Sequence, residues 1–132
     1  MEARLSFVTL GVADLAIAVS FYRDTLGLTP KRILPEVAFF MLGPVCLALY
    51  PTELLAADAG VPAAGQGFRG VALAHNVRSP AEVDALLAQA AAGGGQLSKP
   101  GQATSWGGYA GYFADPDGHL WEVAWNPDFP LD

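Results

Sequence analysis

The sequence predicts an α+β fold built from two successive β-α-β-β-β units, and three observations predict it. Two amphipathic helical segments begin two residues after Val12 and Val77, each following a strand-like run. Both helical segments stop at glycine, at Gly27 and at Gly93-Gly94-Gly95. Three short apolar or β-prone runs separated by Pro and Gly then follow each helix.

The first run, RLSFVTLGV (4–12), is rich in β-branched and aromatic residues, with Phe7, Thr9 and Gly11 on one face and Val8, Leu10 and Val12 on the other. Asp14 is suited to cap a helix in which Leu15, Val19, Tyr22 and Leu26 recur at helical spacing. TPKRILP, AFFMLG and VCLALYP supply three short strands as far as residue 51. The segment TELLAADAGVPAAGQG (52–67) reads as a connector. The same order then restarts. FRGVALAHNV (68–77) is strand-like, and Ser79-Pro80-Ala81-Glu82 is a capping box with Pro at the first helical position. Val83, Leu86, Leu87 and Ala90 share one face of the second helix. QLSKP, GGYAGYFA and HLWEVAW complete the unit, the last two joined by Asp115-Pro116-Asp117-Gly118, whose Pro and Gly suit a type I turn. The reading is one domain over 1–132, with modules at about 4–51 and 68–126. A sheet with a helix on one face only must cover its other face or leave a cavity. Two such sheets predict a cup-shaped mixed sheet with the helices outside.

Composition narrows the function. The 132 residues are 52% hydrophobic and 15% charged, as in a compact domain large enough for a core. Thirteen acidic residues against seven Lys and Arg, with no basic run, argue against nucleic acid as a partner. The single Cys46 forms no internal disulfide and fits a reducing cytoplasm. The longest uncharged apolar stretch, 38–51, is too short to span a bilayer, so no membrane partner is expected.

VADLAIAVSFYRDTLGL (12–28) and FADPDGHLWEVAW (113–125) together resemble the vicinal oxygen chelate superfamily, which includes glyoxalase I, extradiol dioxygenases and bleomycin-resistance proteins. The resemblance covers about residues 4–127 and implies the paired-module fold and a homodimer. It also implies four cup-facing positions at which metal-using members carry His, Gln or Glu. Here they fall on Phe7, Ala48, Ala72 and Glu122, and only Glu122 is a metal-ligating residue. A catalytic divalent metal normally takes at least three protein ligands. His75 and His119 stand at odd offsets from Ala72 and Glu122, which points them to the opposite faces of their strands.

The expected site is therefore an apolar cup with one acid. Phe7, Thr9, Cys46, Ala48, Ala72, Trp106, Tyr109, Tyr112 and Glu122 are the candidate ligand-binding residues, with Glu122 also the candidate catalytic group. No cofactor is expected. A zinc, nickel, manganese or iron ion belongs to the alternative reading, in which the chain is a glyoxalase-like lyase, an isomerase or a dioxygenase. The favoured reading is a metal-free binder of a small apolar or aromatic organic molecule.

Overall fold

The computed structural model describes residues 1–131, and the chain divides into two compact units, Met1–Gly67 and one beginning at Phe68. The first holds β1 (Phe7–Val12), α1 (Leu15–Ser20), β2 (Arg32–Ile33), β3 (Ala38–Leu42), β4 (Val45–Pro51) and α2 (Thr52–Ala59). Its four-stranded sheet has the order β1-β4-β3-β2, with β1 and β4 parallel and the other pairs antiparallel. The second holds β5 (Leu73–Val77), α3 (Pro80–Ala92), β6 (Gln96–Ala103), β7 (Tyr109–Ala114) and β8 (Leu120–Trp125). Its sheet repeats the pattern as β5-β8-β7-β6, again with the first and last strands parallel. Both units thus realise the β-α-β-β-β order expected from the sequence.

In the first unit, Leu10, Val12, Ala38, Phe40, Leu47 and Leu49 are buried with Ala18, Val19, Phe21 and Tyr22. Asp14 caps α1 by accepting a hydrogen bond from the Ile17 N–H at 3.1 Å. The continuous α-helix expected to Leu26 gives way to a π-helical turn over Phe21–Thr25, closed by the Leu26 N–H on the Phe21 carbonyl. That wider turn lets two neighbouring aromatics, in edge contact at 5.4 Å, both be buried.

Several boundaries differ from expectation for local reasons. β1 starts at Phe7 rather than Arg4 because its partner β4 begins at Val45, after the Gly43-Pro44 turn. β2 shrinks to two residues between Pro30 and Pro35. The connector contains α2, which is made of good helix formers and ended by Gly60 at φ 75°. β5 starts at Leu73 rather than Phe68, since Gly70, at φ 77°, interrupts the extended run. β6 extends to Ala103 with register shifts on either side of Lys99, and its Pro100 is tolerated at the sheet edge.

In the second unit, α3 starts at the expected Ser79 cap: the Glu82 N–H donates to Ser79 Oγ at 3.2 Å, while the Glu82 carboxylate reaches past the cap residue and accepts from the Arg78 N–H at 2.6 Å. Val83, Leu87 and Ala90 are buried along with Phe113, Trp121 and Val123 of the sheet. Among the described residues no helix is long and apolar enough to cross a membrane.

Candidate functional site

Strand register assigns the faces. In the first unit, Phe7 pairs with Cys46 and Thr9 with Ala48 across β1–β4, while Phe39 pairs with Ala48 and Met41 with Cys46 across β3–β4. Arg32 pairs with Phe39. These residues share the face opposite the one that carries the buried Leu10, Leu47 and Phe40. Phe7, Thr9, Cys46 and Ala48 are thus brought together as expected. Cys46 and Ala48 are buried in the central strand, whereas Phe7 is 54% and Met41 43% exposed. Phe7 meets Phe39 edge-on at 6.3 Å.

A concavity of about 710 Å³ opens at the Phe7 end of this face. It is lined by Phe7, Phe39, Met41 and Cys46, and by three cations, Arg4, Lys31 and Arg32. At the other end, the start of α2 lies against β1: a β carbon on Gly11 would stand 2.9 Å from Thr52 Oγ1.

In the second unit, Glu122 pairs with Tyr112 across β7–β8 and with Ala74 across β5–β8. Both Glu122 and Tyr112 are half-buried and face each other across the ladder, close enough for the carboxylate to act on the Tyr112 phenol. Burial first, then the charge of Glu122 and hydrogen bonding to it, push the Tyr112 phenol above its ordinary pKa. Tyr112 is accordingly a neutral hydrogen-bond donor at physiological pH.

The approach to Glu122 is fixed by Asp115, which is buried. Its Oδ1 accepts from the Asp117 N–H at 2.9 Å and the His119 N–H at 2.8 Å, and its carbonyl accepts from the Gly118 N–H at 3.0 Å. This is the type I turn expected from Asp-Pro-Asp-Gly, reinforced by a side chain.

The remaining candidates fall elsewhere. Ala72 is exposed just before β5, in phase with Ala74. Tyr109 pairs with Trp125 and lies on the helix-bearing face, where its hydroxyl donates to Asp84 of α3 at 2.9 Å. It does not share the face of Glu122, because it stands three residues from Tyr112 along one strand. Trp106 sits in the loop between β6 and β7 with its ring folded over Gly108. His75 pairs with Val123, on the face opposite Glu122. The sequence reading missed Phe39, Met41, Lys31 and Arg32, although the alternation in AFFML already placed Phe39 and Met41 on one face.

The model of the glyoxalase/bleomycin resistance protein/dioxygenase superfamily matches residues 4–123. The chain belongs to that superfamily. A glyoxalase-related enzyme from Fulvimarina pelagi is 40% identical, with a TM-score of 0.90 over 99% of this chain and 94% of that one. A glyoxalase/bleomycin resistance protein/dioxygenase from Nocardioides is 29% identical, with a TM-score of 0.78 over 100% and 89%. A lactoylglutathione lyase from Agrobacterium tumefaciens is 25% identical, with a TM-score of 0.73 over 98% of both chains. No curated protein matches the chain.

The superfamily's metal-ligand positions can now be tested against the side chains present. The side chains of Phe7, Ala48 and Ala72 offer no donor atom, which leaves the Glu122 carboxylate, across the ladder from Tyr112. Among the described residues no three His, Cys, Asp or Glu side chains are grouped to hold a metal ion. These positions supply one carboxylate, where a divalent catalytic metal normally takes at least three protein ligands.

Proposed function

We propose that this superfamily member is a metal-independent binding protein for a small, largely apolar or aromatic organic molecule. The observation that carries the reading is the open face of the first sheet, where exposed Phe7 and Met41 border a concavity of ligand size. Such a surface supplies area and ring contacts rather than coordination. Elemental analysis of the purified protein, followed by titration of chelator-treated protein with zinc, nickel, manganese and ferrous iron, tests it. No stoichiometric binding is expected. Stoichiometric binding that is lost in Glu122→Ala would overturn the reading.

A second reading is favoured by the Tyr112–Glu122 pair and by the 40% identity to a glyoxalase-related enzyme. In it the chain is a lyase or isomerase in which Glu122 accepts a proton from substrate while the neutral Tyr112 hydroxyl orients the carboxylate. Glu122→Gln that still binds ligand but shows no turnover, against a wild type that turns over, would select this reading.

A further inference from the structure

The chain carries formal charge −6, yet three of its seven Lys and Arg residues line a concavity on the first unit's open face, and no acidic residue is among its lining residues. Arg4 is already paired with Glu2. Lys31 and Arg32 are exposed, and the Lys31 backbone N–H is tied to the Phe39 carbonyl at 2.7 Å, which holds the pair beside the aromatic floor. Arg32 shares the face of Phe39 through the β2–β3 register. An apolar floor edged by cations on an otherwise acidic protein is complementary to a molecule with an apolar body and one negative end.

We infer that the ligand is an organic carboxylate: its aromatic or branched aliphatic body rests on Phe7, Phe39 and Met41, and its carboxylate meets Arg32 and Lys31. The inference rests on the binding reading above and adds the charge class of the ligand. A guanidinium fork matches a planar carboxylate in two parallel hydrogen bonds, whereas Lys31 adds a point charge. The rest of the concavity, Cys46, Val45 and Pro44 among it, supplies shape without charge.

The test is a fixed panel of small aromatic and branched aliphatic carboxylates, with naphthalene-2-carboxylate as the reference, each matched by its neutral carboxamide. Affinities are measured by calorimetry on the full chain, and amide-proton NMR shifts locate the site. The expected result is that carboxylates bind about tenfold more tightly than their amides, with shifts at Phe7, Phe39 and Met41. The Lys31→Ala/Arg32→Ala variant is expected to abolish that preference while its circular dichroism stays that of the wild type, both side chains being exposed. Equal affinity for acids and amides would overturn the charge assignment and leave the apolar-binder reading standing. A carboxylate preference that survives in the double variant, or shifts confined to the second unit, would also overturn it. No binding by either class at millimolar concentration would overturn both.

Discussion

Tyr112 stands directly across the β7–β8 ladder from Glu122, and the carboxylate acts on its phenol, adding to burial in raising the Tyr112 pKa. A carboxylate within an otherwise apolar strand is thereby given a partner from the adjacent strand. Because the negative charge disfavours phenolate, Glu122→Gln is expected to lower the pKa of Tyr112 toward its ordinary value, with burial still holding it somewhat high. Spectrophotometric titration of tyrosinate, with Tyr112→Phe used to assign the transition, reads the change. An unmoved titration would mean that the two groups do not interact in solution.

Two tyrosines make stability depend on alkaline pH. The hydrogen bond to Asp84, then burial and its charge, raise the Tyr109 pKa, and Tyr112 is raised as described. A phenol whose folded pKa exceeds its unfolded value near 10 contributes stability that is complete below about pH 10 and is lost as pH rises through the folded value. Urea midpoints measured from pH 8 to pH 11 should therefore fall at the alkaline end. Asp84→Asn should reduce part of that slope, and an identical slope in the variant would count against the Tyr109–Asp84 bond.

Asp115 offers a second stability test. Its Oδ1 accepts two backbone N–H groups in a buried turn, so Asp115→Ala is expected to cost about 2 kcal/mol. Asp115→Asn retains an acceptor oxygen and should cost less. Chemical denaturation compares the two, and equal losses would show that the side-chain oxygen is not what holds the turn.

Gly111 is needed for close approach. A β carbon there would stand 2.5 Å from Leu87 Cδ1, 2.8 Å from the Lys99 carbonyl oxygen and 2.9 Å from the Gly101 nitrogen. Leucine can move, but the two β6 backbone atoms cannot do so without disturbing the strand. Gly111→Ala is expected to destabilise the protein by about 1–3 kcal/mol, measured as a drop in the denaturant midpoint. Gly118→Ala, with open space around it but φ at 86°, should act through backbone strain alone.

Elements whose signal lies within one turn or one alternation were legible from the sequence. The capping residues Asp14 and Ser79 and the Asp115–Gly118 turn act through neighbours a few residues away, and the structure bears them out. Parity along β5 was equally readable, which is why His75, paired with Val123, falls on the face opposite Ala74 and Glu122. The stretch from Trp106 to Tyr112 was not, because its faces depend on where β7 begins after a glycine-rich loop. Tyr109 reaches Asp84 only by passing Gly101 of the neighbouring strand, a contact 25 residues apart in the chain. The π-helical turn at Phe21 and the grouping of Arg4 with Lys31 and Arg32 are likewise tertiary in origin. No local pattern brings the segment before β1 beside the start of β2.

The meeting of Thr52 with Gly11 sets a ruler on what the first sheet can accept. With α2 closing the Gly11 end, the free run of β1 from Phe7 to Gly11 is about 13 Å, four steps at strand rise. Two fused aromatic rings lie within that span. A molecule that extends from the concavity toward Gly11 meets Thr52 at that limit, so lengthening it in that direction should bring little further gain in affinity.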